Sequence, residues 1–473
     1  MLISPREKSR LVIVSNRVPA PQDRSAQAGG LAVVLADGLR PGSLWFGWSG
    51  KRSAEPAAPT LQEARGISYA TTDLTPAEYQ TYYQGFSNSA LYPLLLYRLG
   101  LLRFRGEDFD GYCQVNARFA ASLAPLLRPG DRIWVHDYHL FTLPGELRKR
   151  GVAAAIGFFL HTPFPPAGLF AVLPHGEVLL RGVCAADVVG FQTAVDRGHF
   201  MDAAIEMLGA RRRGEDTLWL DGRRIRVVVA PVGIDADGFA AMSRSAHAAT
   251  ATRRLAESIG ERALVLSVDR LDHTKGLPER VGAIEAFLNR HPQWRRKVNF
   301  LQVAAASRQD VAEYQRLRRN IDRMVGDLNG QAGEPDWTPL RYMTRPVRRP
   351  TLAGFQRLAR VGLVTPLRDG MNLVAKEFIA AQNPADPGVL VLSKFAGAAE
   401  TMADALVVNP FDTGAVADAL DRALGMALDE RQARHAALLA GVRRETAAAF
   451  CAGFLAHLSR AAGPAMGLVE IPA

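Results

Sequence analysis

Short apolar runs recur along the chain, each closed by a polar, glycine- or proline-bearing loop and followed by apolar residues at helical spacing. The fullest example spans residues 361–378. There Val361, Leu363 and Val364 read as a buried strand and Thr365-Pro366 breaks it. A loop then carries Arg368, Asp369, Gly370, Met371 and Asn372, and from Leu373 the spacing of Val374, Phe378 and Ile379 is helical. A first strand at 11–14 ends in Ser15-Asn16-Arg17, with Gly29-Gly30 ahead of a helical stretch at 31–39. Further strands run into His136-Asp137-Tyr138-His139 and into His161, and others lie at 188–191 and 225–230. The pattern restarts at 263–268 and continues at 298–303, 389–393 and 405–408, before a helical tail at 413–457. Residues 326–344, with Gly, Asn, Pro and Trp, read as an ordered connection.

Two such series predict an α/β chain of two Rossmann-like domains, 1–232 and 233–451, facing a deep cleft. Ligands of open parallel sheets gather outside the carboxyl ends of the strands. Asp137, His161, Arg270, Lys275 and Asp369 all stand at predicted strand ends or in the loops after them. Arg270 and Lys275 can neutralise a diphosphate leaving group beside a helix N-terminus. Arg17 can hold a phosphate with two oxygens at once. Asp369 suits a sugar hydroxyl and Glu377 a ribose, although an N-capping Asp and a surface Glu would read the same way. Trp48 and Tyr83 suit a sugar face, whereas Trp45 and Phe46 read as core.

Length and composition narrow the picture. A chain of 473 residues, 48% hydrophobic and 22% charged, is an ordinary globular protein of two or three domains. The net charge of +10 favours anionic partners, though the arginines at 211–213, 295–296 and 348–349 read as solvated surface. No nucleic-acid module is visible, so small anionic ligands fit better. Neither G-x-G-x-x-G nor the Walker pattern occurs. His136 and His139 lack a third metal ligand at matching spacing, and no metal site is expected. Cys113, Cys184 and Cys451 are far apart, and the apolar run after Arg6, Lys8 and Arg10 is too short for a signal peptide or a span. The expectation is a cytoplasmic protein with no membrane or nucleic-acid partner; a homo-oligomer is left open.

Taken together, Ser15-Asn16-Arg17, Gly29-Gly30-Leu31, the segments 45–50, 136–139 and 157–165, Arg270-Leu271-Asp272-His273-Thr274-Lys275-Gly276 and Arg368-Asp369-Gly370-Met371-Asn372-Leu373 resemble the trehalose-6-phosphate synthase family of retaining glycosyltransferases. The resemblance runs in order over nearly the whole chain. It implies the GT-B architecture, with the C-terminal helix (about 452–473) returning to the first domain, and glucose transfer from a nucleoside-diphosphate glucose to glucose 6-phosphate without metal or cofactor. By the same resemblance Arg17, Tyr83 and Arg308 surround the acceptor's phosphate and sugar, with Trp48 and Asp137 lining the acceptor. Gly30 lies near the donor phosphates, which Arg270 and Lys275 hold. His161 and Asp369 bind the donor glucose, Gly370, Met371, Asn372 and Leu373 meet phosphate and sugar, and Glu377 meets the ribose. The chain departs from the family at Tyr92, where Trp is common near the acceptor, at His273-Thr274 in place of Tyr-Ser, and at Val347 in place of an aromatic residue. A related transferase with another phosphorylated acceptor, such as glycerol 3-phosphate, and a silent sugar-phosphate binder are the alternatives; a dehydrogenase is a distant third.

Overall fold

The computed structural model describes residues 10–19, 35, 39–306 and 312–461. Gly30, Arg308 and nearly all of the stretch 31–39 lie outside the described residues. The chain divides into two compact units: one runs up to Pro231 and resumes at Phe450, the other is Val232–Ala449.

In the first unit the strands are β1 (Leu11–Arg17), β2 (Leu44–Arg52), β3 (Thr60–Ala64), β4 (Ile67–Leu74), β5 (Arg132–His136), β6 (Ala155–Phe159), β7 (Val188–Phe191), β8 (Arg211–Arg212), β9 (Thr217–Leu220) and β10 (Arg223–Val229). They form one sheet in the order β3-β4-β2-β1-β5-β6-β7-β10-β9-β8. The run from β4 to β10 is parallel, and antiparallel hairpins close both edges. Such central strands are covered on both faces, which is why they read as unbroken apolar runs. Val12, Val14, Phe46, Ile133, Val135, Ile156 and Phe158 pack into one core. Trp134 points the other way and stacks on Phe454 of the helix Ala447–Ala461, with ring centroids 4.8 Å apart. Two glycines make room for that ring: a Cβ at Gly157 or at Gly190 would come within 2.6 Å of Phe454.

The second unit holds β11 (Ala263–Arg270), β12 (Val298–Ala305), β13 (Leu340–Met343), β14 (Val361–Val364), β15 (Val389–Ser393) and β16 (Leu406–Val408), all parallel, in the order β13-β12-β11-β14-β15-β16. Alternate residues feed two cores: Val265, Val361, Leu363 and Val391 one side, Leu264, Leu266, Val364 and Leu392 the other. Lys376, whose side chain is wholly covered, donates to the Val232 carbonyl at 2.9 Å and to Glu445 Oε2 at 2.7 Å, tying the two ends of this unit's chain to one helix. The expected connection at 326–344 is corrected: a helix, Ala312–Ala332, runs through Gly326 and Gly330, and β13 follows. Its apolar residues Leu317, Ile321, Val325 and Leu328 keep a helical period, and their burial outweighs the glycines' poor propensity.

Phe454→Ala is expected to cost about 3–5 kcal/mol, as for other fully buried aromatics, read as a lower urea midpoint. An unchanged midpoint would contradict the packing of this helix on the sheet of the first unit.

Candidate active site

Numbered within its own unit, each sheet holds a parallel run in the order 3-2-1-4-5-6: β4-β2-β1-β5-β6-β7 in the first, which β10 extends by one more parallel strand, and β13-β12-β11-β14-β15-β16 in the second. The loops leaving the two middle strands of such a sheet diverge and open a crevice at their carboxyl ends. In the second unit those strands are β11, ending at Arg270, and β14, ending at Val364.

After β11 the chain turns on Asp272, whose Oδ1 accepts from the Thr274 N–H and hydroxyl, both at 3.0 Å. Gly276 has φ +64°, and a Cβ there would lie 2.6 Å from the Thr365 carbonyl, so only glycine fits between the two loops. The Leu367 N–H donates to the Thr274 carbonyl at 2.7 Å, locking the loops together. Across this junction the Lys275 ammonium is in direct contact with Asp369 Oδ2, and Asn372 Nδ2 donates to the same oxygen at 3.0 Å. The backbone of Asp369 is fixed in turn by its N–H on the Phe395 carbonyl and its carbonyl on the Gly397 N–H. Asn372, not Asp369, caps the helix Leu373–Ala381: at φ 84° it accepts from the Ala375 N–H at 3.2 Å. Its left-handed backbone leads Gly370, Met371 and Asn372 into the helix N-terminus, where unpaired N–H groups favour an anion.

Glu377 is not a free surface carboxylate. It accepts from Arg349 Nη2 at 3.0 Å and Nε at 3.3 Å, and burial pushes its carboxyl above the ordinary range. Arg349 is exposed, as expected, yet it also lies over the Phe239 ring. Of the departures, Thr274 supplies the hydroxyl that closes the Asp272 turn, His273 packs edge-on against Tyr314, and Val347 joins the apolar core.

In the first unit the middle strands are β1, which Arg17 closes, and β5, after which comes Asp137. Arg17 is exposed, its guanidinium 6.0 Å from the Trp48 ring, and the missing side chain of Gly50, at φ +88°, leaves it space. Trp48 is deeply set: it is 5% exposed and its indole N–H donates to the Lys51 carbonyl. Its ring touches Tyr79 and Tyr83, which stack on each other 5.3 Å apart along the helix Tyr79–Leu91. That helix is wound in π fashion, a wider turn common at functional sites. Asn88 and Ser89 side chains reach back five residues to the Tyr83 and Gln84 carbonyls. Tyr83 continues the ring series onto His139 and Tyr138, and Tyr138 onto the buried Tyr92. Trp45 and Phe46 are core, as the pattern indicated.

Asp137 sits at φ 75°, ψ 168°, a conformation that disfavours side chains and is found where function over-determines the backbone. Its N–H donates to the Phe159 carbonyl and its Oδ1 accepts the His161 N–H at 3.2 Å. The turn after it is clamped by buried residues that the sequence pattern did not single out: Tyr112 bridges the Tyr138 carbonyl and the Phe141 N–H, and Asn116 donates to the His139 carbonyl. Their four-residue spacing on a buried helical face was the available signal. His161 Nε2 lies 3.1 Å from His136 Nδ1, and burial pushes His161 down to about 3. Burial holds His136 well below its usual value too, followed by the effect of His161, so this is a neutral imidazole pair. His136 and His139 part company, and among the described residues no group of His, Cys, Asp or Glu gathers as a metal site.

Glycosyltransferase family 20 matches residues 6–460. The chain belongs to that family. The trehalose-6-phosphate synthase of Sinorhizobium fredii is 45% identical over 456 residues, covering 95% of this chain and 98% of the relative. A crystal structure of a UDP-forming α,α-trehalose-phosphate synthase from Burkholderia xenovorans, in complex with glucose-6-phosphate, superposes with a TM-score of 0.92 at 42% identity, covering 95% of this chain and 100% of that one. A structure from E. coli bound with UDP-2-fluoro glucose gives 0.91 at 43% identity, over 96% and 99% of the two chains. Family membership carries the GT-B class of fold and a glycosyltransferase activity. No helix among the described residues is long and apolar enough to cross a membrane.

The buried histidine pair sets a pH dependence. A histidine whose folded value is depressed stays neutral while the unfolded chain takes up a proton. Its share of stability is therefore present above about pH 6.5 and drains away as pH falls toward about 3. At pH 5 the loss from one such group is about 2 kcal/mol. The melting temperature should drop between pH 7 and pH 5, and less steeply for His161→Gln; equal slopes would mean that His161 takes its proton in the folded protein.

Proposed function

We infer that the chain transfers glucose from UDP-glucose to glucose 6-phosphate with retention, releasing UDP and giving α,α-trehalose 6-phosphate. The observation that carries this reading is the contact of Lys275 with Asp369 where β11 and β14 part, since it offers a cation for a diphosphate beside a carboxylate for sugar hydroxyls. The relatives named for this reaction, and the ligands named with two of the neighbouring structures, support it. No observation favours a glycerol phosphate acceptor or a silent binder.

The proposed roles follow from chemistry at each position. Arg270 and Lys275 take the two phosphates, and the helix N-terminus after Asn372 adds its N–H groups. Asp369 and His161 orient the glucose through its hydroxyls. Glu377 is proposed for the ribose, with Arg349 holding its carboxylate in place. Arg17 takes the acceptor phosphate, with Tyr83, Trp48, Tyr92 and Asp137 around the acceptor sugar; Gly30 and Arg308 complete the donor and acceptor sets. Asp369 is poorly suited to act as a nucleophile, because its Oδ2 is already bound by a cation and an amide. The donor C1–O bond therefore breaks first, with the electron pair going to the diphosphate. The acceptor hydroxyl then attacks C1 from the face being vacated and passes its proton to the departing phosphate oxygen. The protein contributes placement and charge. Substrates are small molecules, and no cofactor is proposed.

A donor panel tests the reading. UDP-glucose with glucose 6-phosphate should release nucleotide fastest, ahead of GDP- and ADP-glucose and of glycerol 3-phosphate as acceptor; release with glycerol 3-phosphate alone would overturn it. Arg17→Ala should raise KM for glucose 6-phosphate about 10- to 100-fold, the worth of charge-assisted bonds to a phosphate, while KM for the donor holds. A donor-side effect instead would remove Arg17 from the acceptor site.

A further inference from the structure

One buried cation in the second unit has no part in the roles assigned so far. Arg280 lies on the helix Leu277–Arg290, about a turn beyond Lys275, with its side chain turned inward and 1% exposed. Its Nη1 donates to Asp269 Oδ2 at 2.5 Å and to Gln302 Oε1 at 2.7 Å, its Nε to Thr365 Oγ1 at 3.0 Å, and its Nη2 to the Lys275 carbonyl at 3.0 Å. Each partner has a defined place. Asp269 immediately precedes Arg270 on β11, Gln302 lies on the neighbouring β12, and Thr365 follows β14 on the way to Asp369. One planar group thus meets three adjacent strands, β11 and β14 near their carboxyl ends and β12 at mid-strand, and the backbone of the residue that offers the ammonium.

Stability alone does not account for this arrangement. Removing an arginine and an aspartate from water is expensive, and well-packed apolar residues of similar volume commonly hold a fold as well or better. Burial raises the Asp269 carboxyl despite the guanidinium beside it, so the cost of desolvation is felt here. What the guanidinium supplies that an apolar side chain lacks is direction: a rigid fork whose donors fix several acceptors at once. Misplacement of a catalytic group by about 1 Å is enough to lose about 100-fold in rate.

We propose that Arg280 is a positioning residue for the diphosphate site, holding the backbone of Lys275 in register with Arg270 and with the loop of Asp369. The inference rests on the donor-site reading given above. It is tested with Arg280→Met/Asp269→Leu, which removes both buried charges together, beside Lys275→Ala as reference, by titrating each protein with UDP and with uridine and measuring steady-state turnover. The double variant should stay folded by thermal melt, lose about 10- to 100-fold in UDP affinity and in kcat, and keep its affinity for uridine and its KM for glucose 6-phosphate within about twofold. A purely structural role would weaken UDP and uridine alike, and that result overturns the proposal. Unchanged UDP binding in the double variant, with Lys275→Ala weakened, also overturns it while leaving the donor site standing. Unchanged UDP binding in Lys275→Ala defeats the donor-site reading itself. Should the double variant not fold, Arg280→Lys, which keeps the charge but not the planar fork, is measured in the same way and the same split between UDP and uridine is expected.

Discussion

A lysine ammonium held against an aspartate carboxylate, at the place where a parallel sheet changes direction, is the interaction on which the site of the second unit depends. Neither group arrives alone. Lys275 is delivered by a turn built on Asp272 and by a glycine that no other residue could replace beside the Thr365 carbonyl. Asp369 is held by its own backbone against residues 395–397 and by Asn372. Opposite charges pre-arranged in a partly covered site need little rearrangement as charge develops on a leaving group, and that is where electrostatic catalysis is strongest.

The strand order explains why these residues meet although they lie far apart in the chain. In both units the same order places the carboxyl ends of two non-consecutive strands side by side, β1 with β5 and β11 with β14. Arg17 and Asp137 flank the first such point, Arg270 and Asp369 the second. The backbone of Asp137, forced to positive φ, is clamped by Tyr112 and Asn116 around the turn, and the Lys275 loop in the other unit is likewise fixed by buried polar contacts.

Much of this was legible in the amino-acid order, for a physical reason. Strands covered on both faces must be apolar throughout, so 11–14, 263–268 and 361–364 announced themselves, and ligand residues follow strands in open α/β sheets. The hairpin of β3 and β4 was not legible, because its outer strand is mostly exposed and carries no apolar run. The helix through Gly326 and Gly330 was hidden by residues that usually break helices. Arg280 was hidden differently. Among so many arginines, composition does not separate a buried guanidinium with four partners from a solvated one, and that distinction exists only once the strands are side by side.

A crystal structure of the protein with UDP and glucose 6-phosphate bound is the most direct measurement. Diphosphate oxygens within about 3 Å of Lys275 Nζ and the Arg270 guanidinium, with the acceptor phosphate on Arg17, are the expected result. A nucleotide seated away from the β11–β14 junction, with Lys275 and Asp369 untouched by it, would contradict the assignment of this site.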